Sequence, residues 1–445
     1  MLLYSIIKRF NMKFCKILLL IFMISPIYVT HDLLAAPTIP FAIRPIPPGP
    51  VTLSLGGTSI VNIDDPFSGF QNPAKIPMTN YPQVTFSLYN EVVKEISYWD
   101  DNHFSGTKGP DVSDLKINYL GFSCPFQLFS MNMAASISYY PLYTFERSFS
   151  FEQKDENEMT DQRQWHFNQN GYLSAISLAY GIKFHSDWSF GLSWNFFRDD
   201  LLDNQFNQEI SMKGHRKNIV QFDEYFRQKI SQEFSGNNLN IGLLWQIFSC
   251  LKAGAVIQTQ LKSTVSSHLF EFHSFNGNPP ETSPIISSTD YLEIPMSWGI
   301  GMCYSPIDRW KLLMDFRQIT WEDLHYENSI ETTQFISGHT DNDHNLNVDM
   351  IHVGSVYQSM YRIKLFKPVF RMGISYCTNR GMIHPEPDSA IGFGFGLIGK
   401  NLDFNIGYQY QRYDDITQET SQAGTLHDRI RNNVLEMSLT YRIKK

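Results

Sequence analysis

The sequence contains no uninterrupted apolar run of the roughly 20 residues that a membrane-spanning helix requires. It is also poor in charge, since Asp, Glu, Lys and Arg make up only 18% of the chain. A formal net charge of −8 argues against nucleic-acid binding, which needs a basic surface. If the chain spans a membrane, these absences leave a closed β-sheet as the spanning structure.

Cysteine is scarce, with 5 among 445 residues. Cys15 lies in the N-terminal lead, and the others are Cys124, Cys250, Cys303 and Cys377. The first three of these four fall at predicted strand ends, and no two have the close spacing of a metal site. Four cysteines could form two disulfides in an exported protein, but we interpret them as small apolar strand residues.

The most abundant pattern is an alternation of apolar and polar residues. It is clearest in residues 188–196, 402–410 and 435–443, where every second side chain is large and apolar and those between are polar or small. A soluble antiparallel sheet can also alternate. Here, however, the second face is polar, which favours lipid outside a barrel and a polar interior.

Alternation and turn residues together predict fourteen strands. They lie near residues 84–97, 112–123, 128–140, 169–184, 188–198, 236–247, 251–262, 291–304, 309–318, 349–360, 368–377, 390–398, 402–411 and 432–443. Six short connections (124–127, 185–187, 248–250, 305–308, 361–367 and 399–401) alternate with seven long loops (98–111, 141–168, 199–235, 263–290, 319–348, 378–389 and 412–431). We therefore predict an all-β fold, a 14-stranded antiparallel transmembrane β-barrel whose termini both lie on the short-turn, periplasmic side.

Closure of such a barrel requires the last strand to pair with the first. We expect the residues around Tyr441 to lie beside the segment 84–88. Four tryptophans in predicted strands are candidates for an aromatic girdle at the membrane interface, with ordinary core positions as the alternative: Trp188, Trp245, Trp298 and Trp310.

The first 36 residues have the pattern of an export signal. Four basic residues precede an apolar stretch at 17–29, and the small pair Ala35-Ala36 follows. We expect cleavage after Ala35 or Ala36. Translation could begin at Met1 or at Met12. The alternative to a cleaved signal is a short membrane anchor. The chain then divides into a signal peptide (1–36), an extended segment with a hatch (37–80) and the barrel (81–445).

Residues 37–80 do not alternate. Three short motifs follow a proline-rich stretch: Gly56-Gly57, Asp64-Asp65 and Asn72-Pro73-Ala74. Glycines allow close packing or a positive φ, and an Asn before Pro can close a turn over its own backbone. The aspartates could accept backbone hydrogen bonds or pair with inward basic residues. A plug with purely structural roles is the alternative to direct ligand contact.

The order of these motifs, just before the first strand of an exported barrel, resembles the N-terminal hatch of the FadL/TodX family. The motifs cover residues 56–76, and the strand count extends the similarity over the remaining chain. The resemblance implies a hatch inside the lumen and passive uptake of hydrophobic small molecules, namely long-chain fatty acids or hydrocarbons. It also implies a lateral exit beside a kinked third strand, which here ends Tyr139-Tyr140-Pro141. A proline there could bend the strand or end it.

A second function remains open. The segment 72–75 also resembles that of PorV-like barrels, which are accessory components of a secretion system. Such a barrel would hold protein or lipid cargo without transport, and the charge-rich loop predicted at 199–235 could be its binding surface.

An enzyme is the weakest alternative, because no nucleophile has a credible base beside it. The segment 339–344 contains His339 and His344 with two alternating aspartates, but it lacks the glycine and glutamate of a calcium-binding loop. We expect no metal and no cofactor. The expected partners are a hydrophobic ligand and outer-membrane lipid, with secretion proteins under the alternative.

Overall fold

The computed structural model describes residues 44–46, 49–62, 67–99, 104–105, 107–108, 112–154, 161–202, 204–216, 222–275, 281–282, 285–323, 325–327, 347–378, 388–420 and 424–444. Its helices are α1 (Pro50–Ser54), α2 (Ser68–Gln71) and α3 (Asp199–Leu202), with 3-10 helices at Pro73–Met78 and Trp321–Asp323. The signal predicted at 1–36, Asp64, Asp65 and the segment 339–344 lie outside the described residues.

The strands follow in chain order. They are β1 (Arg44–Pro45), β2 (Gln83–Trp99), β3 (Phe104–Ser105), β4 (Thr107–Lys108), β5 (Val112–Leu128), β6 (Met131–Thr144), β7 (Arg147–Lys154), β8 (Asp161–Lys183), β9 (Trp188–Phe197), β10 (Gln205–Arg216), β11 (Phe222–Phe248), β12 (Leu251–Gln258), β13 (Leu261–Phe275), β14 (Glu281–Thr282), β15 (Ile286–Ile294), β16 (Ser297–Ile307), β17 (Trp310–Ile319), β18 (His325–Glu327), β19 (Val348–Gln358), β20 (Lys367–Cys377), β21 (Asp388–Ile398), β22 (Leu402–Thr420) and β23 (Gly424–Arg442).

These elements form one closed antiparallel barrel of fourteen spanning strands. Some spanning strands consist of two consecutive elements: β6 with β7, β9 with β10, β12 with β13, and β15 with β16. The barrel closes between β2 and β23, where Val84 lies opposite Tyr441. The predicted strand number, class and closing pair are therefore confirmed.

The six predicted short turns are present, and they alternate with seven other connections. Several boundaries differ, because strands extend into the predicted long loops: β6, β7 and β8 take up most of 141–168, and β22 and β23 take up all of 412–431 except residues 421–423. The first short turn lies at Phe129 and Ser130, because β5 continues through the predicted turn at 124–127. The predicted loop 199–235 is also wrong, since most of it forms β10 and the first part of β11.

The outer wall is apolar where the barrel would cross lipid. On β9, Trp194 is 48% exposed while its neighbour Ser193 is 1% exposed. Trp188 and Trp245 are cross-strand neighbours whose rings stack at 4.8 Å near the short-turn end. Aromatic rings favour this headgroup level. None of the helices in the described part of the chain has the length and hydrophobicity needed to cross a bilayer.

The apolar face of β11 changes sides along its length. Near the short turns Leu243 and Ile241 point outward, whereas farther along the strand Phe234 points inward and is 1% exposed. The strand has 27 residues, about 90 Å, and a membrane strand needs only about ten. The barrel wall therefore continues beyond the membrane, and there its interior becomes apolar. The expectation of a wholly polar interior was therefore wrong for the part of the barrel that extends beyond the membrane.

No disulfide joins Cys124, Cys250, Cys303 and Cys377. Cys124, Cys303 and Cys377 lie in strands, as predicted, whereas Cys250 lies in the turn between β11 and β12.

Candidate functional site inside the barrel

Residues 49–62 and 67–78, called here the inner segment, lie inside the barrel. Helix α1 contacts β20 to β23, whereas the 3-10 helix Pro73–Met78 contacts β6, β8, β9 and β11. These strands lie on different sides of the ring. A segment that contacts both sides and is almost wholly buried must cross the lumen.

The motif that begins at Asn72 holds one end of the inner segment. Asn72 is fully buried, and its Oδ1 accepts a hydrogen bond from the backbone N–H of Ala74 at 3.1 Å. Its Nδ2 donates to the carbonyl of Ile60 at 2.9 Å. The side chain therefore caps the 3-10 helix and joins two parts of the inner segment.

Two glycines of the barrel wall leave room for this motif. A Cβ at Gly191 would lie 2.2 Å from the carbonyl carbon of Pro73, and one at Gly242 would lie 2.0 Å from Oδ1 of Asn72. Ser189 next to this contact donates its hydroxyl to the carbonyl of Ala74 at 2.5 Å. The backbone of the barrel wall and the motif are thus in direct contact, with no room for a side chain at these two glycines.

The Gly56-Gly57 pair forms the turn after α1. Both residues have positive φ, 64° and 99°, a region that favours glycine. A Cβ at Gly56 would lie 2.5 Å from the backbone of Ile374 on β20. His352 on β19 donates from Nδ1 to the carbonyl of Gly56 at 2.6 Å.

A buried acid on the barrel wall holds the next residues. Asp315 on β17 accepts the backbone N–H groups of Ser59 and Ile60 through Oδ2, at 2.6 and 2.9 Å. Arg317, two residues along the same strand, donates to the hydroxyl of Ser59 at 2.7 Å. Neither residue was predicted as a site residue from the sequence, although two charged residues on the inward-facing positions of an apolar strand indicate a polar contact inside the barrel.

Lys75 completes this polar network from within the inner segment. Its Nζ donates to the carbonyl of Ser59 at 2.6 Å and to Oε1 of Gln71 at 2.9 Å. The side chain is fully buried. A buried ammonium requires such partners, so the network ties Lys75 to the turn that Asp315 also binds.

The barrel wall separates between β5 and β6, and we call this place the seam. Pairing between the two strands runs from Leu128 opposite Met131 to Leu120 opposite Tyr139 in the described residues. Beyond that point β6 pairs instead with β1, where Arg44 lies opposite Thr144. The N-terminal strand therefore covers the edge of β6 that β5 leaves.

The third spanning strand is irregular at the seam. Tyr140 and Pro141 are both buried although they are adjacent, and the register with β8 shifts between Pro141 and Tyr143. Tyr139 lies on the other face, half-buried, with its hydroxyl 3.5 Å from that of Ser174. The three residues named from the sequence thus lie where β6 leaves β5.

Aromatic residues of the inner segment fill the seam from inside. Phe70 stacks on Tyr140 with ring centroids 3.8 Å apart, and Phe67 meets the edge of Tyr119 at 4.4 Å. These rings belong to a larger buried group, called here the apolar cluster. Its other members are Tyr143, Phe145, Leu173, Ala175, Phe197, Phe206, Phe234, Leu261, Val265, Leu292, Ile294, Trp321 and Val348.

Comparisons with known proteins agree with this geometry. The family model described as BamG matches residues 52–439. No curated protein matches the chain. A FadL homologue of Pseudomonas aeruginosa has a TM-score of 0.61 at 12% identity, over 92% of this chain and 100% of that one.

Two hydrocarbon channels have similar structures. The toluene transporter TodX of P. putida has a TM-score of 0.55 at 12% identity, over 89% of this chain and 99% of that one. The CymD monoaromatic hydrocarbon channel has the same TM-score and identity, over 91% of this chain and 100% of that one. The predicted FadL/TodX resemblance is thus confirmed for the fold, and the chain belongs to the BamG family.

Proposed function

We propose that the protein is an outer-membrane channel for the passive uptake of hydrophobic small molecules, such as long-chain fatty acids or hydrocarbons. The observation that carries this proposal is the seam, which borders the apolar cluster. A water-filled pore would have no use for a buried aromatic interior. An apolar ligand would exchange water for contacts with this interior, which is favourable in proportion to its apolar area.

Two parts of the chain control the exit under this proposal. The inner segment is the hatch, and its displacement takes Phe67 and Phe70 away from the seam. The strand β1 is a cover: in the described residues it pairs with β6 at Arg44 and Pro45, and Ile46 donates its N–H to the carbonyl of Leu142 at 3.0 Å. Under this proposal the pairing of β1 with β6 is released, whereas the buried polar network around Asp315 keeps Ser59 and Ile60 of the hatch in place. The residues proposed for the hatch and its gating are Gly56, Gly57, Asp64, Asp65, Asn72, Pro73 and Ala74, of which Asp64 and Asp65 lie outside the described residues.

Uptake of labelled oleate by cells with and without the gene tests the proposal. Deletion should reduce uptake, and return of the gene should restore it. Equal uptake in both strains contradicts the transport function.

A binding or secretion-accessory barrel is the second candidate. It is favoured by the number of hydrogen bonds that fix the inner segment, because a barrel that never opens can retain a tightly bound plug. Purification of the barrel after mild cross-linking in cells, followed by identification of what is bound to it, distinguishes the two functions. Defined secretion proteins recovered with the barrel would support the accessory function, and recovery of lipid alone would count against it.

A further inference from the structure

The connection between β19 and β20, residues 359–366, is a folded turn rather than a loose loop; we call it the basic turn. Ile363 and Phe366 exchange two backbone hydrogen bonds of 2.9 and 3.0 Å, and Lys364 at its tip has a φ of 55°. Ser359 donates its N–H to the carbonyl of Pro368 at 2.9 Å. The backbone therefore holds the side chains of the turn in fixed positions.

The side chains of the basic turn alternate in chemistry. Tyr361 and Leu365 are 83% and 80% exposed, and Ile363 is also exposed. Arg362 and Lys364 lie between them and are exposed as well. Apolar side chains fixed at such exposure indicate a contact surface, and here the surface is interleaved with cations.

The turn continues the lipid-facing wall. Trp310, Tyr357 and Phe370 are cross-strand neighbours at the short-turn end of their strands, and all three point outward. Such rings favour the boundary between hydrocarbon and headgroups. Met360 follows Tyr357 by three residues, which is about 10 Å along the strand. A membrane strand is tilted by about 45°, so this corresponds to about 7 Å along the membrane normal. The headgroup layer is about 5–8 Å thick on each side, so the turn lies at the level of the lipid phosphates.

Charge distinguishes a lipid surface from other partners. The stretch 359–367 contains three basic and no acidic residues, although the whole chain has a net charge of −8. Each basic residue near a lipid surface attracts anionic lipid strongly enough to enrich it roughly fivefold beside that residue. A neutral lipid offers no such gain.

We propose that the basic turn binds anionic phospholipid headgroups of the leaflet on the short-turn side. Arg362 and Lys364 bind the phosphates, and Tyr361, Ile363 and Leu365 lie between the headgroups. This interaction does not depend on the uptake function.

Tryptophan quenching in bilayers tests the proposal. The full-length Tyr361→Trp protein is reconstituted in phosphatidylcholine that contains a minor fraction of lipid brominated near the headgroup, either phosphatidylglycerol or phosphatidylcholine. Because the parent protein has 8 tryptophans of its own, the signal is the tryptophan fluorescence of the variant minus that of the parent protein. We expect brominated phosphatidylglycerol to quench this difference signal several-fold more strongly. Adding Arg362→Gln and Lys364→Gln should remove the preference for phosphatidylglycerol, while quenching by both brominated lipids should remain.

A second apolar turn supplies the matched control. Phe129 in the β5–β6 turn is 81% exposed, and residues 124–132 contain no basic residue. Phe129→Trp should be quenched equally by the two lipids. Leu365→Trp is a second reporter on the basic turn. Equal quenching at 361 and 365 by both lipids overturns the selectivity for anionic headgroups. Absence of quenching places the turn away from lipid, as a protein-binding surface would be, and also overturns the proposal.

Discussion

Oδ2 of Asp315 lies 2.6 Å from the backbone nitrogen of Ser59, although the two residues are 256 positions apart in the chain. The same oxygen accepts the N–H of Ile60. A carboxylate that accepts two backbone donors in a buried place makes a strong, charge-assisted contact. It fixes the inner segment to one strand of the barrel wall, and its loss should release the turn between α1 and the Asn72 motif.

The first prediction concerns Asp315→Asn. The substitution removes the charge and should weaken the docking of residues 56–62 by about 1–3 kcal/mol. Hydrogen–deuterium exchange of these backbone amides should become faster in the folded barrel. Asp200→Asn is the control, because Asp200 pairs with Arg198 at an exposed site and such pairs contribute little. Unchanged protection of residues 56–62 in Asp315→Asn would refute the role of this contact.

The second prediction concerns the close approach of wall and motif at Gly191. A Cβ there would meet the carbonyl carbon of Pro73 at 2.2 Å. Gly191→Ala should therefore destabilise the protein by about 1–3 kcal/mol, because neither backbone can yield easily. Thermal unfolding in detergent measures the change. Gly254→Ala, whose nearest neighbour would lie at 3.1 Å, should cost less. An equal cost for both variants would contradict the fit described above.

The third prediction concerns the stacked pair Phe70 and Tyr140. Phe70→Ala should destabilise the protein by about 3–5 kcal/mol and leave apolar space beside the seam. A small aromatic molecule such as toluene should fill that space and raise the melting temperature of the variant with increasing concentration. Phe126→Ala on the lipid-facing wall should show no such response. A toluene response equal to that of the parent protein would argue against an apolar site there.

The fourth prediction concerns the closing register. Val84 and Tyr441 are direct partners, so their Cα atoms should lie about 4.5–5.5 Å apart, within the range of a disulfide. Val84→Cys with Tyr441→Cys should cross-link on oxidation. Val84→Cys with Leu439→Cys is diagonal, at about 7–8 Å, and should not. Cross-linking of the second pair in preference to the first would overturn the register.

The sequence predicted the barrel well because the membrane imposes a strict pattern on it. The pairing of Val84 with Tyr441 followed from counting alternating strands, even though 357 residues separate them in the sequence. The pattern fails where the wall leaves the membrane. On β11 the apolar side chains change from the outer to the inner face near Phe234, so a single alternation with one polar face no longer holds.

The interior contacts could be predicted only in part. The Asn72 motif was found from local turn chemistry, since its cap involves residues close in sequence. The partners Asp315, Arg317 and His352 come from strands whose relative height depends on the register of the whole barrel. The seam likewise depends on where β5 and β6 stop pairing, which Pro141 alone does not determine.

A disulfide lock across the seam tests most directly whether ligand leaves the barrel there. Arg44→Cys and Thr144→Cys, direct partners of β1 and β6, are introduced into a background in which the native cysteines are replaced. Val84→Cys with Tyr441→Cys serves as the control disulfide. Uptake of labelled oleate is then measured in proteoliposomes before and after reduction. If ligand leaves through the seam, the oxidised seam pair should slow uptake and reduction should restore it, while the control disulfide should have no effect. Uptake that is unchanged by oxidation of the seam pair would contradict an exit at the seam, and uptake by the unlocked protein that is no faster than in empty liposomes would contradict transport.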